Sequence, residues 1–411
     1  MGKILTFSIA AYNVANTIEE TLNSLVCDES TMECMEVLIV DDGSTDNTYN
    51  EVSLFLEQYP NTFRYVRKEN GGHGSTLTYS IKHAKGKYFR MLDGDDLVYT
   101  GNLKEYVDLL KNTDVDVVVS PFVEFYEDKR EDYKDRHNLD SSKIYGIEDT
   151  DKIEAHEFAF RTELLRDKNV QLEKHCCYED TEYCFYVTMY AQAIIKYNNP
   201  IYRYRKGVEG QTVSDSGRRK HPNDPRRVLL KMMKECDRRG QVFDVSYKHE
   251  VFYQLYDAVM NLATGNIFSV CDYTEKERCV KYGELCAEIK RLDGDYLEHY
   301  YDNWPNLTGK FYYMLYTLPS VSHYVIWGCG RYGVKAVAII KELYKDSITV
   351  TDSNSDKWGE SFCDETIVSP EEAISLDNND TIFVVAMKDG MEVKNILIKK
   401  DVDEGIINYI H

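Results

Sequence analysis

The chain has 411 residues, with 49 Lys and Arg against 70 Asp and Glu for a formal net charge of −21, and it is 43% hydrophobic and 29% charged. The length exceeds that of one compact domain, and the composition is that of an ordinary globular protein, not a disordered one. So acidic a balance argues against bulk binding to nucleic acid, which needs surplus Lys and Arg on the contacting face; an anionic ligand would need a local basic pocket or a metal ion.

Polar residues interrupt MGKILTFSIAAYN before a signal-peptide core forms, and no run reaches 18 apolar residues, so a cytoplasmic protein without a spanning helix is expected. Its 11 cysteines, odd in number and without a C-x-x-C pair, read as reduced thiols. His175, Cys176, Cys177 and Cys184 form one thiol-rich cluster. Lacking two ligand pairs at zinc spacing, it reads as ordinary thiols.

Apolar runs at residues 5–11, 37–40, 63–67, 88–92 and 115–120, separated by helical patterns, predict a parallel sheet with crossover helices. Asn16, with Glu19 three residues on, is placed to cap a helix that buries Ile18, Leu22 and Leu25. Thr45 or Asp46 opens a second helix, burying Val52, Phe55, Leu56 and Tyr59. Residues 121–150 read as an exposed connection or an excursion from the sheet, and 151–220 as mixed structure. A basic stretch follows at 218–239, where Pro225 suits a helix start. The helical pattern continues to about 318, with Val251, Leu255, Val259 and Leu262 on one face. The last segment is a second α/β unit: a strand at 323–327, GCGRYG, a helix at 334–343, a strand at 348–350 running to Asp352, a strand at 382–385, a helix through Lys400 and a strand at 406–410. Domains are expected at 1–220, 221–320 and 321–411.

In an open parallel sheet, ligands bind outside the carboxyl ends of the strands. Here the strand at 37–40 runs into Asp41, Asp42, Gly43, Ser44, Thr45 and Asp46, and the strand at 88–92 into Asp93, Gly94, Asp95 and Asp96. Carboxylates gathered on one edge repel one another unless they are solvated, hydrogen-bonded or neutralised by a cation. Mg2+ or Mn2+ takes one or two protein carboxylates and fills its remaining positions with water and substrate phosphates. An isolated D-x-D is more often a solvated turn, but this one follows a strand and shares its edge with a second acidic cluster. A metal-bridged diphosphate is the inference.

The blocks IAAYNVANTIEETLNSL, VLIVDDGSTDNT and KENGGHGSTLTYSIKHAKGKYFRMLDGDDLV, in this order, resemble the nucleotide-sugar-binding half of glycosyltransferase family 2, of GT-A fold. YEDTEYCFY and PIYRYRKGVEGQTVS resemble its acceptor-side half, and the likeness covers roughly residues 1–215. The resemblance implies a base pocket lined by Ala10, Ala11 and Tyr12, with the Tyr12 ring against the uracil or other base, and Asp42 or Asp41 accepting from base or ribose. It implies that Asp93 and Gly94 meet the nucleotide sugar, that Asp95 holds the metal with Asp93 beside it, and that Asp96 supports the loop. Asp180 would be the general base, with Glu179 the alternative; acids at a helix N-terminus that favour its dipole are the other reading of this pair.

There are departures. Leu77 and Thr78 stand where many members carry Arg-Asn, and NGGHGST brings His73, which the resemblance puts among the nucleotide-sugar-binding residues, and Ser75, resembling a bacterial subgroup. The Q-x-x-R-W motif of processive synthases is absent. Arg203, Arg205 and Lys206, with Gly207, Gly210 and Gln211, either close over the diphosphate or form a solvated basic turn.

The expected function is therefore metal-dependent, inverting transfer from a nucleoside diphosphate sugar, taken as a UDP sugar, to a hydroxyl of a glycan, lipid-linked or protein acceptor in polysaccharide biosynthesis. A nucleotidyltransferase is the alternative enzyme, although residues 10–13 supply no basic glycine-rich loop. The other alternative is a non-catalytic nucleotide-binding or assembly module. Gly328, Gly330 and Gly333, with Asp352 about twenty residues on, suit a second nucleotide site and resemble small Rossmann-like domains appended to sugar-processing enzymes, where packing is an equal role. The stretch 218–239 fits either a solvated helix or a contact with anionic lipid at the inner membrane face. A homo-oligomer is left open.

Overall fold

The computed structural model describes residues 2–207, 214–240, 249–303, 307–344, 347–376, 380–387 and 390–409. Contacts divide the chain into two compact units, Met1–Ala263 and Thr264–His411. The helices of 221–320 are shared between them.

The strands of the first unit are β1 (Leu5–Ala11), β2 (Met35–Asp41), β3 (Phe63–Arg67), β4 (Tyr88–Asp93), β5 (Leu97–Val98), β6 (Val117–Val119), β7 (Phe122–Tyr126), β8 (Glu131–Lys134), β9 (Tyr145–Gly146), β10 (Phe158–Arg161), β11 (Ala193–Lys196) and β12 (Tyr202–Lys206). The main sheet runs β3-β2-β1-β4-β10-β6-β11-β9, and a smaller one runs β5-β12-β7-β8. β1 lies parallel to β2 and β4, and helices bury both faces of this centre, which is why Val37–Val40 reads as an unbroken apolar run. Phe7, Ile9, Val37, Ile39 and Leu92 are core residues here, each at 0–1% exposure. The five predicted strands are present, with β2 starting two residues before the predicted run and β6 trimmed to Val117–Val119.

Two local expectations are corrected and a third is narrowed. The first helix, Ile18–Ser24, is preceded by Thr17 and has no side-chain cap; the Thr17 hydroxyl donates instead to the Gly94 carbonyl at 2.9 Å. After a short helix at Glu29–Cys34, the helix predicted from Thr45 or Asp46 begins at Thr48, because the Asp46 carboxylate accepts from the amides of Thr48 and Ala15, both at 3.0 Å. Residues 121–150 make an excursion from the main sheet, the second of the two expected readings. β7 buries Phe122 and Val123 and pairs parallel with β12, while β8 covers its other edge. The charges of β8 hide that strand from a hydropathy reading.

Helices Asp224–Gly240 and His249–Gly265 complete the unit, burying Val228, Leu229, Met232, Val251, Leu255 and Val259. Much of the basic face is paired: Arg227 with Glu173 at 2.7 Å, Lys231 with Glu182 at 2.7 Å and Arg238 with Glu235 at 2.7 Å. Among the described residues, no helix is long and apolar enough to cross a membrane.

The second unit opens with helices Glu275–Leu292, Gly294–Asn303 and Leu307–Tyr316. Its strands are β13 (His323–Trp327), β14 (Ser347–Thr351), β15 (Ser361–Phe362), β16 (Glu365–Val368), β17 (Thr381–Val385) and β18 (Ile407–Tyr409), in the order β15-β16-β14-β13-β17-β18. β13 is central and parallel to both neighbours, the arrangement of a small Rossmann-like sheet, packed on Trp327, Phe383, Val385 and Leu397. Ile410 of the last predicted strand lies outside the described residues. Helix Arg331–Leu343 packs so tightly on the β13 turn that a Cβ at Gly333 would sit 1.9 Å from the Gly328 carbonyl oxygen. Gly333→Ala should therefore destabilise this unit by about 1–3 kcal/mol in chemical denaturation; an unchanged transition would contradict the packing.

Candidate active site

The register of the main sheet aligns the candidate residues. Ala10 of β1 lies opposite Asp93 of β4, and Ala11 lies opposite Asp41 of β2, so the carboxyl ends of three parallel strands finish abreast. Tyr12 follows with its ring 52% exposed.

Asp41 and Asp42 point into the fold. The Asp41 carboxylate accepts from the Ser44 amide at 2.7 Å and from the Tyr65 hydroxyl. Asp42 accepts from the amides of Gly71 at 3.0 Å and Gly72 at 2.7 Å and pairs with Lys68. Lys68 in turn donates to the Ser75 hydroxyl at 2.7 Å. Asp42 thus fixes the NGGHGS segment behind the edge. The glycines of that segment permit close approach: a Cβ on Gly72, whose φ is +80°, would meet the His175 amide nitrogen at 2.8 Å, and one on Gly74 would meet the Glu173 carbonyl at 2.2 Å.

His73 therefore starts helix His73–His83 between two acids. Its Nδ1 lies 2.5 Å from Glu179 Oε1 and its Nε2 lies 3.3 Å from Asp93 Oδ1. Desolvation alone would lower the imidazole pKa, but hydrogen bonds and charge from Asp93 and Glu179 outweigh it and hold the ring well above its usual range. The charged ring is a bridge between the two halves of the site. Desolvation opposes ionisation of Asp93 as well, and His73 more than offsets it, so that carboxyl stays below its usual range.

The three acids of the β4 loop differ in their compensation. Asp96, fully buried, accepts from the Tyr202 hydroxyl at 2.7 Å and the Arg205 amide at 2.7 Å; burial, followed by the charges of Asp93 and Asp95, pushes its carboxyl well up. The Asp93 amide donates to the Tyr202 hydroxyl at 3.2 Å. Asp95 has no side-chain partner for its carboxylate among the described residues, and burial plus the Asp93 charge raise its pKa. An undercompensated carboxylate beside a second one fits a hard divalent cation, with Asp95 and Asp93 the residues able to hold it. Gly94 packs against β1, its carbonyl accepting from the hydroxyls of Thr17 at 2.9 Å and Thr21 at 3.1 Å.

Glu179 and Asp180 open helix Glu179–Tyr190 after Tyr178, which adopts a left-handed φ of 70°. Glu179 is buried against His73. Asp180 keeps an exposed edge, but desolvation of its inner side and then the Glu179 charge push its carboxyl up to about 6. Of the basic residues on β12, Arg205 reaches this loop, with Nε on the Asp95 carbonyl at 2.7 Å. Arg203 turns to Glu131 at 2.5 Å and Lys206 to Glu124 at 3.6 Å, while Gly210 and Gln211 lie outside the described residues.

Sequence reasoning gave no role to Tyr202, Lys68 or Thr17. Tyr202 stood within the quoted PIYRYRK block, but only the sheet pairing shows which way its hydroxyl points. The glycine-rich turn of the second unit contributes separately. Gly328 adopts φ +114°, Gly330 faces open space, and Asp352 accepts from the Cys329 amide at 2.9 Å and pairs with Lys357 at 2.9 Å.

Residues 6–178 match the family model described as glycosyl transferase family 2. The chain carries a family 2 glycosyltransferase domain. An uncharacterised glycosyltransferase of Rickettsia conorii is 38% identical over 111 residues, which are 27% of this chain and 18% of that one. The minor teichoic acid biosynthesis protein GgaB of Bacillus subtilis is 29% identical over 171 residues, 40% of this chain and 19% of that one. The matched residues thus span less than a fifth of either relative. A fragment of S. aureus TarS, solved in complex with UDP-GlcNAc, superposes with a TM-score of 0.55 at 20% identity, over 71% of this chain and 83% of that one. The fold of the glycosyltransferase unit is accordingly GT-A.

Within this domain, Tyr202→Phe keeps the ring and removes the hydroxyl that donates to Asp96. It should lower the unfolding free energy by about 1–3 kcal/mol, because a buried acceptor loses its donor. Denaturant titration checks this, and no change would mean the hydroxyl does not hold the loop.

Proposed function

We propose that the chain is an inverting glycosyltransferase that moves a sugar from a nucleoside diphosphate sugar, most simply a UDP sugar, to a hydroxyl of a glycan, lipid-linked or protein acceptor. The observation that carries this reading is the Asp93–Asp96 loop, in which Asp96 is tied down, Asp93 is bridged to the acceptor-side helix by His73, and Asp95 is left for a cation. The relative named for teichoic acid biosynthesis and the TarS structure with UDP-GlcNAc support a sugar-transfer role and a uridine donor.

In this reading Tyr12, with Ala10 and Ala11, receives the base. Asp41 and Asp42 shape the pocket around the base and ribose through the Lys68–Gly72 segment, and Asp93, Gly94 and Arg205 border the diphosphate sugar. Mg2+ or Mn2+ on Asp95 and Asp93 would supply Lewis-acid stabilisation of the charge on the departing diphosphate. Asp180 accepts the acceptor hydroxyl proton while that oxygen bonds to the anomeric carbon, opposite the leaving group. Glu179 holds His73 and is the alternative base. A carboxyl poised near 6 is largely ionised at neutral pH and still close enough to take a proton efficiently. The second unit is assigned an accessory role, with Gly328, Gly330, Gly333 and Asp352 as a candidate nucleotide turn.

Incubation with Mn2+ and a panel of nucleotide sugars should release nucleoside diphosphate from at least one donor. The rate at low substrate should fall as pH drops through about 6, where Asp180 gains its proton. Asp180→Asn should lose that limb and about a hundredfold or more in turnover while still binding donor. Near-normal turnover in that variant would overturn the assignment.

A further inference from the structure

Beside the catalytic helix lies a second cluster with different chemistry. A Cys177 sulfur, a His221 ring nitrogen and an Asp224 carboxylate oxygen all lie within 4.8 Å of one another. Cys177 sits two residues before Glu179, His221 caps the end of helix Asp215–Lys220, and Asp224 starts helix Asp224–Gly240. We propose that Cys177, His221 and Asp224 form a zinc site that ties the segment leading into Glu179 and Asp180 to the start of helix Asp224–Gly240.

Three features carry this. First, the donor set mixes a thiolate, an imidazole and one carboxylate, which suits Zn2+, whereas the all-oxygen set of Asp93 and Asp95 suits Mg2+ or Mn2+. Second, the groups are already oriented. Asp224 Oδ2 accepts from the Cys177 amide at 3.0 Å and lies 3.2 Å from His221 Nδ1, while Asp224 Oδ1 is held by Arg227 at 3.3 Å. The Cys177 amide and Arg227 each hold one oxygen and so aim the carboxylate, and Oδ2, which faces His221, would take the ion in place of its contact with the ring. Third, the charges balance once binding displaces the Cys177 thiol proton to solvent, since a thiolate and a carboxylate neutralise a divalent ion. Three protein ligands leave the fourth tetrahedral position to solvent.

The site stands on these contacts and not on the donor assignment, so each can fail alone. The test is titration of the chelator-stripped full chain with Co2+ and then Zn2+, following the near-ultraviolet thiolate-to-cobalt absorption and the metal content. One thiolate-bound Co2+ per chain is expected, apart from any ion on Asp93 and Asp95, with the thiolate band present in wild type, absent in Cys177→Ser and lost or strongly weakened in His221→Ala. His221 is 44% exposed, so that variant should fold, which circular dichroism verifies. Asp95→Asn should retain the band. No stoichiometric uptake, a band that survives Cys177→Ser, or one that disappears in Asp95→Asn would each overturn the proposal.

Discussion

The structure of the glycosyltransferase unit depends on one electrostatic constraint: five carboxylates, those of Asp41, Asp42, Asp93, Asp95 and Asp96, brought to one edge of a parallel sheet. Two like charges about 4 Å apart near a protein surface cost on the order of 4 kcal/mol, so the cluster persists only where its members are compensated. Asp41 and Asp42 are turned inward onto amides, the Tyr65 hydroxyl and Lys68. Asp96 is satisfied by Tyr202 and the Arg205 amide, and Asp93 by His73. The charge that remains is that of Asp95. A net charge of −21 thus does not forbid an anionic donor, because under the proposed function the local surplus would recruit the cation that accompanies one.

The same compensation joins the two halves of the site. His73 and Glu179 are 106 residues apart in sequence, yet one ring meets both the β4 loop and the acceptor-side helix. Its placement needs Gly72 and Gly74, whose missing side chains let this turn lie against residues 173–175, and it needs Asp42 to hold the glycine amides. The residues proposed to face donor and acceptor are therefore set by one connected group of contacts. Asp180, at the end of that group, keeps its carboxyl raised by desolvation and by Glu179.

Much of this was legible in sequence. Strands 5–11 and 63–67 were predicted to the residue, although FRYVR is only partly buried and carries two arginines. The acidic strand ends and the NGGHG turn were visible as local motifs. What escaped depends on partners distant in the chain. Thr17, not Asn16, precedes the first helix because its hydroxyl serves Gly94. β8 was hidden by its charges, and Tyr202 acquires a role only once β12 brings it beneath the Asp93 loop. The thiols at 176 and 177 read as ordinary from local spacing, because His221 and Asp224 lie more than forty residues away and only the fold sets them beside Cys177. Local order is encoded in pattern and spacing; compensation of charge is encoded across elements.

The central claim is that Asp95, with Asp93, holds the divalent ion that receives the donor. Water-proton relaxation of Mn2+ solutions measures this most directly, titrating wild type, Asp93→Asn and Asp95→Asn with and without UDP. The account predicts binding that UDP tightens in wild type, with an affinity reduced at least about tenfold in Asp95→Asn and weakened in Asp93→Asn. Equal Mn2+ affinity in all three proteins, unaffected by UDP, would contradict it.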